Sequence, residues 1–388
     1  MKKQRKLASQ HCLCQLKIVL LLVLSIAFLL GITKFNYVPE ANAAAKITST
    51  YVALGDSITT GYGLENFNAN DIKNISSPEN FVNKLSKKLG KKPVNLGVEG
   101  IDSMRLLEAI SKPTTDEQKA AIEQIKNASV ITISIGGNNV MLPLLASLNE
   151  KLGKDKSIFT ASEQEIQLAA FSLIIDSAAK ERLQKNVNDA AIAFNGDTKL
   201  KKVGDFANII STIKKLNPKA QIIVQTIYNP YDLPFTDFFN IAIKSMNTKI
   251  IKDSANGKNY KVADVYSAFS KATAGTELVN ANTGKTFDPH PTAKGHSVIY
   301  TIVAAAALNN NLPYSVKATI TKGKLTTRVS DGELILTITP NKGYKSPESI
   351  SITIGKGAKR MLTLVNNKAA VPIADVDADI VVTGVCSK

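Results

Sequence analysis

The sequence predicts an α/β fold built on a central parallel sheet, followed by a small all-β sandwich. From Lys46 to about Asn311, short Val- and Ile-rich runs alternate with helical patterns, which is how a parallel sheet with crossover helices reads. Several of those runs are apolar on both faces, as strands covered from both sides are. After Leu308-Asn309-Asn310-Asn311 the period drops to two, with turn signals between the runs.

The strand candidates are Thr50–Leu54, Pro93–Leu96, Val130–Ile135, Ala220–Ile227 and Tyr260–Val265. Helical stretches lie between them at Asn80–Leu89, Asp116–Lys126 and Phe206–Leu216. An insertion spans about Leu142 to Thr198, where Thr160-Ala161-Ser162-Glu163 reads as a capping box opening a helix. Ile166, Ala170, Leu173 and Ala178 then recur near helical spacing beside Phe171, Ile174 and Ile175. That broad face either packs on the core or forms a lid over an apolar pocket. Beyond Asn311, Leu334, Leu336 and Ile338 alternate, as do Ile350, Ile352 and Ile354, with turns at Asp331-Gly332 and Asn341-Lys342-Gly343. Met361–Val365 and Ile380–Val382 complete about five strands. The domain division is therefore 1–43 as a leader, 44–311 as the α/β domain with its insertion at about 142–198, and 312–388 as the β-sandwich.

At 388 residues, 44% hydrophobic and 21% charged, the chain has globular composition. The net charge of +16 includes Lys2, Lys3, Arg5, Lys6, Lys17 and Lys34 of the leader, against Glu40. The remaining lysines are scattered among acids and there is no Trp, so a basic surface facing an anionic envelope or wall is expected rather than nucleic acid. Met1–Lys17 is basic, Ile18–Ile32 is apolar, and Ala41-Asn42-Ala43 offers a signal-peptidase site. The apolar run is short against the ~20 residues a bilayer demands. A cleaved signal peptide over 1–43 and a retained anchor both imply export. Cys12 and Cys14 lie in the leader, so Cys386 is the one cysteine of the mature chain and no intrachain disulfide forms there. Past His11 there are only His290 and His296, too few for a His-rich metal site; no metal and no cofactor are expected.

The chemistry centres on Tyr51-Val52-Ala53-Leu54-Gly55-Asp56-Ser57, where a strand runs into a tight turn and delivers a Ser at the carboxyl end of the sheet. Taken alone, Gly-Asp-Ser is a common turn tripeptide. The nucleophile elbow Gly-x-Ser-x-Gly is not met, since Thr59 stands where its second Gly belongs. A Ser hydroxyl needs a base. His290, in Phe287-Asp288-Pro289-His290-Pro291-Thr292 before a helix starting near Ala293, can supply it, with Asp288 orienting the ring. Asp264 is a fallback acid, and His296, inside the helix, reads as a packed or solvated histidine. Donors for an oxyanion are offered at two further strand ends, by Gly100 in Asn95-Leu96-Gly97-Val98-Glu99-Gly100 and by Asn138 in Gly136-Gly137-Asn138-Asn139.

These blocks, Gly55-Asp56-Ser57, Gly100, Gly136-Gly137-Asn138 and Asp288–His290, resemble in kind and order those of the GDSL, or SGNH, hydrolase family over about Tyr51 to Leu308. The resemblance implies a flavodoxin-like three-layer α/β/α fold. It further implies Ser57 as nucleophile, His290 as base, Asp288 as acid, and an oxyanion hole made by the Ser57 and Gly100 N–H groups and the Asn138 amide. Two positions depart from the family pattern. Asn139 replaces an Asp, and Phe287 stands three residues before the His where the acid usually lies. The Ile227-Tyr228-Asn229-Pro230 segment and the insertion resemble the lysophospholipase-like esterase branch, and 312–388 resembles immunoglobulin-like modules of bacterial surface proteins.

The expected function is a secreted or envelope-associated serine esterase acting on small esters, lipids such as lysophospholipids, or acylated wall polymers. The rival reading is a non-catalytic surface or adhesion protein on a degenerate hydrolase scaffold. Apolar Val140, Met141, Leu142, Leu144 and Leu145 after the oxyanion Asn suit either an acyl chain or the core.

Overall fold

The computed structural model describes residues 50–67, 77–231, 236–283 and 287–388. The signal-peptide reading over 1–43, with Cys12, Cys14 and His11, lies outside the described residues. In chain order the elements before the central sheet's third strand are β1 (Thr50–Gly55), α1 (Ser57–Thr60), α2 (Phe81–Leu89), β2 (Pro93–Gly97), α3 (Ser103–Ser111) and α4 (Asp116–Asn127). There follow β3 (Ala128–Ser134), α5 (Gly137–Leu152), α6 (Glu163–Ile175), α7 (Ser177–Asn195), β4 (Gly196–Asp197), β5 (Lys202–Val203) and α8 (Asp205–Leu216). The α/β part closes with β6 (Gln221–Gln225), α9 (Thr236–Asp253), β7 (Lys261–Ala263), α10 (Val265–Ser270) and α11 (Ala293–Ala307).

The five expected strands form one parallel sheet in the order β2-β1-β3-β6-β7. The strand order reverses between β1 and β3, and in such sheets the crevice at that reversal, beyond the carboxyl ends, is where ligands bind. β1 is buried along its whole length, because helices cover both faces. One core layer gathers Val52, Leu54, Ile131 and Ile133 with α3, α4 and α8; the other gathers Tyr51, Ala53 and Val130 with α2 and α11.

Gly55 ends β1 at φ +146°, and a Cβ there would lie 2.2 Å from the Ser134 carbonyl oxygen. Only glycine lets the chain turn this close to β3, where the Asp56 N–H donates to that same oxygen at 3.2 Å. Asp56 then caps α1 by accepting the Ile58 N–H at 3.1 Å. This local chemistry fixes Ser57 at the first helical position.

The insertion is a three-helix layer, α5 to α7. The capping box sits two residues later than expected, on Ser162 and Glu165, because the Ser162 hydroxyl accepts from the residue three ahead. The apolar face also divides. Ile166, Ala170 and Leu173 are buried, whereas Phe171 and Ile175 are exposed, and Ala178 belongs to α7. Val140, Met141 and Leu144 are core residues, so they do not line an open acyl pocket.

Seven strands follow: β8 (Val316–Thr321), β9 (Gly323–Ser330), β10 (Glu333–Pro340), β11 (Ser349–Ile354), β12 (Arg360–Thr363), β13 (Lys368–Pro372) and β14 (Ile380–Val385). They form two sheets, β13-β10-β9 and β12-β11-β14-β8, antiparallel throughout except for β14 with β8. Leu334, Leu336 and Ile338 face Ile350, Ile352 and Val382 across one core. That core is continuous with Val298, Ile302 and Ala306 of α11, and Lys271–Glu333 and Lys294–Asp377 ion pairs at 2.8 and 3.1 Å flank the contact.

Candidate active site

Ser57, delivered by β1, and His290, from the loop before α11, come together across 233 positions of sequence: His290 Nε2 lies 2.9 Å from Ser57 Oγ. The other ring nitrogen, Nδ1, meets Asp288 Oδ1, and the His290 N–H donates to the same oxygen at 3.0 Å. Asp288 Oδ2 accepts from Asn280 Nδ2 at 2.9 Å. Burial works to raise the Asp288 pKa, but the His290 ring and these donors outweigh it and hold the carboxyl below its ordinary value. A two-residue spacing thus suffices for contact. Phe287, at the position three before His290, is engaged otherwise: its ring stacks on Tyr231 at 4.6 Å and its N–H donates to Glu163 Oε2 at 3.0 Å.

The loop is held from below by two tyrosines. Tyr228 donates its hydroxyl to the Pro289 carbonyl at 2.8 Å, and Tyr231 donates to the Phe287 carbonyl at 3.1 Å. Tyr62 packs its ring 4.6 Å from the His290 ring. Sequence reading assigned no site role to Tyr228, Tyr231, Tyr62 or Asn280. The aromatic pair next to Pro230 was the only signal, and a lone Asn eight positions before Asp288 carried none.

The candidate oxyanion donors lie on the neighbouring strand ends. Gly100 follows β2 in a left-handed turn at φ +69°. Asn138, in the first turn of α5, donates one amide hydrogen to the Ile101 carbonyl at 3.0 Å, which ties it to the Gly100 turn. Val98 N–H reaches the Gly55 carbonyl at 2.9 Å and ties that turn to β1. Asn139 both accepts from the Ser103 N–H at 3.1 Å and donates to the Ser103 hydroxyl at 2.8 Å. An ionised Asp could not donate the second bond, so the amide suits this pair.

Two further carboxyls surround the imidazole. Burial raises Asp56 to about 7, opposed by the Ile58 N–H and by His290. Burial likewise raises Glu99, whose Oε1 is enclosed without a hydrogen-bond partner among the described residues. Asp264, the fallback acid, is committed elsewhere: it caps α10 and accepts from the Thr226 hydroxyl at 3.0 Å. Among the described residues no group of three His, Cys, Asp or Glu is placed to hold a metal.

His296 is fully buried, stacked on Phe81, with Nδ1 accepting the Phe81 N–H at 3.4 Å. Burial lowers its pKa to about 3, from an ordinary 6.5. The folded state therefore resists a proton that the unfolded chain accepts, so this contribution is intact above pH ~6.5 and is lost as pH falls towards ~3. We expect His296→Leu to flatten the acid limb of stability by ~1.4 kcal/mol per pH unit between about pH 6 and 4. Urea unfolding of both proteins across that range measures it, and parallel limbs would refute it. Asp56 acts with the opposite sign, losing stability as pH rises through about 7, but it is common to both proteins.

A parallel sheet in this order, with Ser57, His290 and Asp288 joined at its switch point, fits the fold and site of an SGNH-type hydrolase. A family model described as "GDSL-like Lipase/Acylhydrolase family" matches residues 53–298, and the chain belongs to that family. A search of curated proteins finds no match. Among solved structures, the chain is similar to a lipase from a goat rumen metagenome, at 21% identity and TM-score 0.40, covering 67% of this chain and 97% of that one. It is also similar to a phospholipase A1 from Streptomyces albidoflavus, at 16% identity and TM-score 0.42, covering 68% and 98%. An extracellular lipase from Streptomyces rimosus shows 16% identity and TM-score 0.43, covering 67% and 98%.

Proposed function

We propose that the chain is a secreted or envelope-associated serine esterase that cleaves carboxylic esters through an acyl-enzyme on Ser57. The observation that carries this reading is the continuous chain from Ser57 Oγ through both nitrogens of His290 to Asp288. In the neutral tautomer, Nδ1 bears the proton facing Asp288 and Nε2 is free to accept the Ser57 proton. Oγ then attacks the ester carbonyl, and the oxygen that gains charge is met by the Ser57 N–H, the Gly100 N–H and the second amide hydrogen of Asn138. His290 returns its proton to the departing alcohol, and water, deprotonated by the same nitrogen, releases the acid. Asp288 compensates the imidazolium at each stage.

The family and the leader expected from the sequence support small acyl or acetyl esters, lysophospholipids, or ester groups on wall polymers as substrates. A fluorophosphonate tests the mechanism, because it loses fluoride only to an activated hydroxyl. One adduct per chain on Ser57 by intact mass, absent from His290→Ala, is the expected result. Failure to label under conditions where an acyl ester is hydrolysed would reassign the nucleophile. Turnover of esters of graded chain length, acetylated xylan and lysophosphatidylcholine then ranks the substrates.

A further inference from the structure

The β4–β5 hairpin is not used by this chemistry. Its turn runs Thr198-Lys199-Leu200-Lys201, and β5 adds Lys202 and Val203. Leu200 is 76% exposed and Val203 59% exposed, while Lys199, Lys201 and Lys202 all face solvent around them. The one acid of the hairpin, Asp197, is turned onto its own backbone, accepting the Lys199 and Leu200 N–H groups at 2.8 and 3.1 Å. The neck is backbone against backbone, since a Cβ on Gly204 would lie 2.2 Å from the Gly196 nitrogen. An apolar tip ringed by cations is thus presented on a fixed stem.

The stem stands on the active-site rim. Directly after it, Asp205 opens α8 and accepts the Ser103 hydroxyl at 2.9 Å; Ser103 in turn bonds Asn139, next to Asn138. We propose that this hairpin docks the rim of the site onto an anionic phospholipid surface, with Leu200 entering the headgroup boundary and Lys199, Lys201 and Lys202 held by lipid phosphates. Charge selects the occupant: Asp205 offsets Lys202 in part, but the tip stays positive around an exposed leucine and so matches a negative apolar boundary, whereas a neutral protein surface would leave Lys199 and Lys201 without counter-charge. Docking is a binding event and does not depend on the ester chemistry.

The chain contains no tryptophan, so Leu200→Trp places a single reporter at the tip. In a Ser57→Ala background, which keeps the lipid intact, its emission is expected to shift to the blue on vesicles of phosphatidylglycerol with phosphatidylcholine. It should stay unchanged on phosphatidylcholine alone. Changing Lys199, Lys201 and Lys202 to Gln should weaken the partition by roughly 100-fold, and raised salt should act in the same direction. Because Leu200 is already in solvent, the replacement removes nothing from the core, and Leu200→Ser in vesicle co-sedimentation gives a second, tryptophan-free measurement. An unshifted reporter on sedimenting protein would overturn the proposal. So would equal shifts on both vesicle types, or a response from Phe171→Trp on the exposed stripe of α6 with none at position 200.

Discussion

Ser57→Ala is expected to lower kcat for any acyl ester by roughly 10⁶, with KM little changed, because in the proposed mechanism the hydroxyl both attacks and carries the acyl group. The loss should not deepen when His290→Ala is added. In that mechanism His290 acts only through Oγ, 2.9 Å from Nε2, so once the nucleophile is gone the base has no proton to take. Measuring both single variants and the double on one chromogenic ester completes the cycle. Additive losses, each variant multiplying the other's deficit, would mean that the two side chains act in separate steps and that the contact between them is structural. Ser57 sits at the exit of β1 on a turn made by Gly55 and Asp56, so removing one oxygen leaves the turn intact and the effect confined to chemistry.

The second large effect is expected at Asp288. Its carboxylate accepts hydrogen bonds from His290 Nδ1–H and from the Asn280 amide, and so favours the tautomer in which the unprotonated Nε2 faces Ser57. Asp288→Asn keeps the shape but can present an NH₂ group to the ring, which favours the wrong tautomer; kcat should fall roughly 10⁴-fold. A role limited to holding the loop would be shared with Tyr228 and Tyr231, which grip the Pro289 and Phe287 carbonyls, and the variant would then retain most of its rate. Retention of even a tenth of the parental kcat would therefore move the acid to another residue, with Asp56 and Glu99 the other enclosed carboxyls in electrostatic contact with His290.

The sheet was readable because its strands are buried on both sides and so are apolar without interruption; the ends expected for β1, β2 and β3 fall within two residues of those observed. Sequence reading misses α9, an eighteen-residue helix, although Phe239, Ala242, Ile243, Met246 and Ile250 recur at helical spacing and are buried; the exposed Ile241 and Ile251 blur that stripe. In the sandwich, β10 and β11 alternate strictly and were legible. β8, at a sheet edge, buries too little on either side to show a period, whereas β13 alternates in burial but places Ala369 inside and Ala370 outside, so residue type hides the alternation. At the site, residue type and order pointed to Ser57, Gly100, Asn138 and His290. What local sequence cannot carry is the support around them, since Tyr62, Tyr231 and Asn280 reach the catalytic loop through tertiary contacts. The insertion is the complementary case. Its apolar residues were visible, but periodicity does not say which of Leu173 and Phe171 faces inward, because both lie on a helix that is apolar nearly all round.

The continuity of the second core has a mechanical corollary. α11 follows directly after the catalytic loop and presents Val298, Ile302 and Ala306 to the same apolar interior that Ile373, Ala374 and Val376 of the sandwich close. The sandwich is therefore a bracket and not a pendant on a tether: it packs directly on the helix that follows the His290 loop. A load borne by the sandwich would accordingly reach the catalytic loop through packed side chains rather than through a linker.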